Sequence, residues 1–299
     1  MPTVKYRMQL LTYILTYPFL WLLSILPDRL FYTVSDIVYI LVYHLVGYRK
    51  KVVLNNLRLC FPEKEEEELL RIRKEFYKHM CDMFLEMTRT MNFSQATLEK
   101  HYRILNLETL LESEKHKSTL VLTAHYGNWE WSVILNRVIK SKGYAVYQKI
   151  NNPYFDKLVR DIRSKWGAEP IHQKETVRTI VKNEKEGIRS LYGIVADQSP
   201  QKHRAKYWSN FMGHYVPIFT GPEDLARKLD LAVYFARITK VKRGYYTFEL
   251  VPITLNSKAT GEHEITDTFM QMTEERIRTA PAYYLWTHRR WKHRKPAEN

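Results

Sequence analysis

Cysteine is scarce: the 299-residue chain holds only Cys60 and Cys81, and neither stands in a C-x-x-C spacing. That scarcity speaks against a disulfide framework and against a thiolate metal site. Two buried free thiols in a reducing cytoplasm are expected, with a single bridge between them as the alternative. Also lacking are a glycine-rich phosphate loop, a recognisable nucleic-acid motif, an internal repeat and a low-complexity linker. Acidic residues are in deficit, 32 against 47 Lys and Arg, which leaves a formal charge of +15. Such a surface favours an anionic partner, nucleic acid or an anionic membrane, unless the basic residues merely solvate the surface.

What the chain does have is enough length for one catalytic domain and an N-terminal appendage. Leu10 to Leu26 carries no charge and is rich in Leu, Ile, Phe, Tyr and Trp, at the short end of what crosses a bilayer. Pro27-Asp28-Arg29 and a second apolar stretch, Leu30 to Val46, follow where a cleavable signal would show small residues, so an uncleaved anchor is expected. Pro18 should kink or interrupt its helix, and Asp28 and Asp36 break the second stretch. An interfacial hairpin therefore competes with a true span. Lys5 and Arg7 before the stretch and Arg49-Lys50-Lys51 after it place cations on both flanks, so orientation is not readable from charge. Residues 1–50 are read as membrane anchor and 51–299 as catalytic domain.

Past the anchor, a Phe61-Pro62 turn and the acidic run Glu65 to Glu68 announce a long helix. Its apolar face is Leu69, Ile72, Phe76, Met80, Met83, Phe84 and Met87. Strand patterns at Thr119–Ala124, Tyr144–Ile150, Ser190–Ala196, Leu231–Ile238 and Tyr245–Pro252 alternate with helical ones at Trp129–Ser141, Pro222–Leu229 and Ile265–Arg278. The fold class expected is α/β, with a central, mainly parallel sheet flanked by helices. Sites in such sheets gather at the carboxyl ends of strands. The charged tail, Lys292 to Asn299, is expected to fray.

The strand Thr119–Ala124 runs directly into His125. Gly127 permits a tight turn, and Asn128 is suited to cap the helix that follows. Glu130 then falls in that helix's first turn, near the histidine. A carboxylate beside an imidazole fixes its tautomer and stabilises the imidazolium, so the pair can deprotonate a hydroxyl at neutral pH. A structural histidine, with Glu130 merely complementing the helix dipole, is the competing reading. A metal site is disfavoured because no third ligand stands at regular spacing. Asp197, which closes the run LYGIVAD, can bind an acceptor hydroxyl, pair with an arginine or simply cap a turn, and Gln198 shares these alternatives. His288-Arg289-Arg290 and the cations after it suit sugar phosphates, an acidic carrier protein or lipid, with a solvated basic tail as the alternative.

The block His-Tyr-Gly-Asn-Trp-Glu resembles the signature of the bacterial lipid A (Kdo-dependent lauroyl/myristoyl) acyltransferases, part of the wider lysophospholipid-type acyltransferases with an H-x-x-x-x-D/E motif. The resemblance extends to Asn55-Asn56-Leu57 with Cys60-Phe61-Pro62-Glu63, to Ala196-Asp197-Gln198, to Phe211-Met212-Gly213 and to Tyr284 through Lys292, in the family's order. It implies a membrane-associated O-acyltransferase in which His125 is general base on a hydroxyl of a lipid A precursor and Glu130 orients it. Acyl carrier protein or coenzyme A thioester would be co-substrate, with no resident cofactor, no metal and no nucleic-acid partner. The oxyanion would be met by the amides of the Gly127-Asn128 turn or by a nearby cation. Asn128, Gln148, Lys149, Asp197, Gln198, Arg289 and Arg290 are the expected substrate-binding residues, and the bacterial inner membrane, with the active site facing the cytoplasm, is the expected location. Two positions depart from the family's pattern: Gln148 and Lys149 follow Tyr147 where an arginine is usual, and Ala282 follows Pro281 where glutamate is usual. An acceptor other than a lipid A precursor (a lysophospholipid, glycolipid or aminolipid) is the alternative, and a membrane-tethered nucleic-acid-binding protein is a more distant one.

Overall fold

The computed structural model describes residues 4–201, 203 and 205–295. The end of the charged tail, 296–299, and the side chain of Lys5 lie outside them. Ten α-helices are described: α1 (Val4–Ile25), α2 (Asp28–Tyr39), α3 (Lys50–Cys60), α4 (Glu66–Arg89), α5 (Gln95–His101), α6 (Leu107–Ser113), α7 (Pro153–Lys165), α8 (Thr176–Lys185), α9 (Gly221–Leu229) and α10 (Glu264–Thr279). The strands are β1 (Tyr102–Leu105), β2 (Thr119–Thr123), β3 (Lys142–Tyr147), β4 (Glu169–His172), β5 (Ser190–Val195), β6 (Tyr207–Phe211), β7 (His214–Ile218), β8 (Ala232–Lys242) and β9 (Tyr245–Thr254).

The two apolar stretches form successive helices that both pack on α4. Helix α1 continues past Pro18, so the proline does not interrupt it. One proline removes one bond from a 22-residue ladder, and the rest of the helix carries on. Helix α2 continues as a π-helical segment, Ile40–Val46, and stops at Gly47, whose φ of 64° is easy only for glycine. Phe31, Ser35, Tyr39 and Tyr43 recur every four residues and are buried, whereas Leu41, Leu45 and Val46 stay exposed. Both acids that break the apolar run face the domain: Asp28 pairs with Arg89 of α4 at 2.8 Å, and Asp36 with Arg243 at 2.6 Å. By length and composition, Tyr6–Ile25 and Asp28–Val46 could each cross a membrane.

Seven strands make one sheet in the order β1-β9-β8-β2-β5-β3-β4, parallel throughout except for the antiparallel pair β8/β9. Strands β6 and β7 form a separate hairpin. The run TLVLT of β2 is buried at every residue, as a continuous apolar segment should be when both sheet faces are covered. Leu120 and Leu122 point to the layer holding Leu57, Phe76 and Phe269, while Val121 points to the layer holding Leu98, Trp131 and Ile134. Helix α4 buries Leu69, Ile72, Phe76, Met80 and Met83 as its spacing predicts, but Phe84 of the same stripe is 48% exposed. From β2 the chain goes to one side for β3, and after β5 it crosses to the other side for β8, so the carboxyl end of β2 lies where the topology reverses. Cys60 and Cys81 are free and buried, as expected.

Candidate active site

Strands β2 and β5 are parallel, with Thr119 opposite Leu191 and Thr123 opposite Val195. The ladder continues one step through the Ala196 amide, which donates to the Thr123 carbonyl at 3.0 Å. Two residues past the last registered pair, the same offset brings His125 and Asp197 level. Asp197 is fully buried, and its Oδ1 accepts from the His125 ring Nδ1 at 2.7 Å and from the His125 amide at 3.1 Å. The partner of the histidine ring is thus Asp197, in the place the sequence reading gave to Glu130. Glu130 instead pairs with Arg163 of α7 at 3.2 Å, and among the described residues no hydrogen bond joins it to His125.

Electrostatics follow from this geometry. Burial is the largest single influence on His125 and lowers its pKa, but the charge and hydrogen bond of Asp197, with a smaller contribution from Glu130, outweigh it and leave the imidazole above its ordinary value. For Asp197 burial is again the largest influence, here upward. The charge of His125, its two hydrogen bonds and the Tyr284 hydroxyl together bring the carboxyl below the usual range. Because Nδ1–H donates to Asp197, Nε2 carries the free lone pair. The Gln198 side-chain nitrogen lies 3.3 Å from that atom. The indole of Trp129 meets the imidazole edge-on at 5.0 Å between centroids.

Trp129 and Glu130 also line a narrow cavity of about 80 Å³, with Arg163 and the apolar Val121, Leu135, Val146, Leu191 and Phe248. Arg163 was invisible to sequence reasoning, since nothing in α7 marks it from its basic neighbours. Its Nη1 is buried and has no hydrogen-bond acceptor among the described residues. The Gly127 amide is not free for an oxyanion, because it donates to the Tyr283 carbonyl at 2.9 Å.

The other expected binding residues separate into three groups. Asn128 is fully buried and both ends of its amide are used: Oδ1 caps the 3-10 helix Trp129–Arg137 by accepting from the Trp131 amide at 3.2 Å, and Nδ2 donates to Glu86 at 2.7 Å. It cannot reach a substrate, which corrects that expectation. Arg290 is also buried, donating to the Asp197 carbonyl at 2.7 Å and to Ser199 at 2.7 Å, so it braces the aspartate loop. Gln148 and Lys149 are exposed beyond β3, outside the cavity lining. Arg289 is exposed too, on a separate basic groove of about 620 Å³ with Lys51, Arg58 and Lys292. Asn56 donates to the carbonyls of Trp286 and His288, at 2.8 and 2.9 Å, tying α3 to the segment that carries Arg290.

A family model, bacterial lipid A biosynthesis acyltransferase, matches residues 1–293. The chain belongs to that family. Among its curated relatives is the lipid A biosynthesis lauroyltransferase of Escherichia coli (strain K12), 24% identical over 287 residues, which is 92% of this chain and 89% of the relative. The palmitoleoyltransferase of the same organism is 22% identical over 254 residues, 84% of this chain and 81% of the relative. The myristoyltransferase is 20% identical over 259 residues, covering 83% and 77%. As a lipid A biosynthesis acyltransferase, the chain carries its His-x-x-x-x-Glu block at the carboxyl end of the central strand.

Proposed function

We propose that this acyltransferase moves a fatty acyl chain from an acyl thioester to a hydroxyl of a lipid A precursor, with His125 as general base. The observation that carries the reading is the 2.7 Å bond from the His125 ring to the buried Asp197 carboxylate. It fixes the tautomer with Nε2 unprotonated and favours the imidazolium that forms during reaction. An incoming hydroxyl replaces the Gln198 amide at Nε2 and gives up its proton there. Its oxygen attacks the thioester carbonyl, and the tetrahedral oxyanion collapses to expel the thiolate, which takes the proton back from Nε2. Arg163, held at the cavity by Glu130, is the cation we assign to the oxyanion. The apolar part of the same cavity suits the first carbons of the acyl chain. No resident cofactor or metal is required by these steps.

The exposed apolar residues of α1, of α2 and of the segment Ile40–Val46, with the +15 charge, support a seat on the bacterial inner membrane, with the site facing the cytoplasm. The test is acyl transfer to lipid A precursor in membranes holding His125→Ala or Asp197→Ala, with acyl carrier protein and coenzyme A thioesters compared as donors. Loss of transfer in both variants is expected. Transfer at the wild-type rate in either one refutes the mechanism, and transfer only to a lysophospholipid or aminolipid refutes the acceptor.

A further inference from the structure

The turn that carries His125 is fastened from beneath by a group outside the family block, Glu86 of α4. This carboxylate is fully buried. Its Oε1 accepts from the Tyr32 hydroxyl at 2.8 Å, and its Oε2 from Asn128 Nδ2 at 2.7 Å and from the Tyr246 hydroxyl at 2.9 Å. Its backbone carbonyl accepts from Trp131 Nε1 at 3.0 Å. A buried carboxylate is expensive unless its bonds are complete, so a group kept here in place of an apolar one calls for a reason.

The reason lies in the orientation of the Asn128 amide. With Nδ2 drawn to Glu86, Oδ1 must face the Trp131 amide, and rotating the amide by half a turn breaks both bonds at once. Asn128 stands three residues after His125 in a turn already pinned by the Gly127 amide to the Tyr283 carbonyl and by the Leu285 amide to the His125 carbonyl at 3.0 Å. We propose that Glu86 is a positioning residue, which holds the His125 turn in its working geometry by fixing the amide of Asn128. The proposal rests on the reading of His125 as general base.

The test reverses the polarity of the bond. Asn128→Asp sets two carboxyls against each other, and kcat should fall about 30-fold or more with little change in KM for the donor. The defect should lessen on acidification, as the pair comes to share a proton. Glu86→Gln alone can present its carbonyl to Asn128 and Tyr246 and should stay within about threefold of wild type. The double variant, Glu86→Gln combined with Asn128→Asp, restores a donor and an acceptor in opposite order. It should recover most of kcat and lose the acid dependence. Carbethoxylation of His125 by diethyl pyrocarbonate, followed by mass spectrometry, reads the imidazole without any acyl transfer, so a failure of the acyltransfer reading stays distinguishable. It should be altered in Asn128→Asp and return in the double variant. A double variant that does not fold, or that folds with activity and carbethoxylation rate no closer to wild type than Asn128→Ala, overturns the proposal, as does wild-type activity in Asn128→Asp.

Discussion

Replacing Asp197 by Asn removes one charge and leaves most of the geometry. The Asn carbonyl can still accept from the His125 amide and ring at the positions now 3.1 and 2.7 Å from Oδ1. What disappears is the negative charge that faces the imidazolium in a fully buried setting, and with it the guarantee that Nδ1 rather than Nε2 holds the proton. A positioned general base is worth about 10²–10⁴ in rate, which corresponds to about 2.7–5.4 kcal/mol of barrier. The buried site puts the expected loss in kcat toward the upper part of that range. The pH profile should shift with it. A base works only when neutral, and the His125 pKa is raised by Asp197, so wild-type kcat/KM climbs as pH rises through that raised value. In Asp197→Asn the acid limb should move to lower pH, because burial then dominates and favours the neutral ring. The assay is acyl transfer in detergent-dispersed membranes from pH 5 to 9. Activity within threefold of wild type, or an acid limb that stays in place or moves up, refutes the assignment of Asp197 as the partner of His125.

Glu130→Ala should lower kcat about 10²-fold by releasing Arg163 from the cavity, yet move the acid limb less than Asp197→Asn does, since Glu130 is a smaller influence on His125. The same pH series checks both effects. Gly127→Ala should destabilise by about 1–3 kcal/mol in thermal unfolding, because the residue sits at φ +60° and its new Cβ would meet Ile238 Cγ2 at 2.6 Å. Burial, joined by the charge of Lys240, holds His79 well below its ordinary value. As pH falls through about 6.5 the unfolded chain takes up the proton first. Stability is therefore full above that pH and is lost on acidification by up to about 1.4 kcal/mol per pH unit. Urea midpoints at pH 7.5 and 5.5 should show a smaller drop in His79→Gln than in wild type. Burial, with help from Asp82, pushes the Cys81 thiol up to about 12, so iodoacetamide at pH 8 should leave it unlabelled in native protein and label it only after denaturation.

The strands around the site were legible because their apolar runs are short, bounded and buried on two faces. Thr119–Thr123 and Ser190–Val195 differ from the expected ranges by a single residue. The edge strands β1 and β4 and the hairpin β6/β7 were not anticipated: YRIL and EPIH are four-residue segments with charged or half-exposed positions, too brief for a period of two to declare itself. His125 drew notice because it ends an apolar strand, and the block around it, which resembles the family signature, is what set it above a structural histidine. Its partner was mistaken for Glu130 because sequence spacing measures distance along the chain, whereas Asp197 arrives from 72 residues away through strand pairing. Arg290 was expected to bind substrate, with a solvated basic tail as the alternative, and only the folded chain shows it turned inward onto the Asp197 carbonyl. Asn128 was correctly read as a cap, and that role is what removes it from substrate binding.

The parallel pairing of β2 with β5 has a consequence for how this chain tolerates change. Loops and helices between the two strands can gain or lose residues without disturbing the histidine and aspartate, because the ladder alone decides which residues emerge side by side. A single residue inserted within either strand would instead slip the register, turn one of the two side chains to the opposite face of the sheet and part the pair. Length variation among functional relatives should accordingly crowd into the connecting segments and avoid both strands.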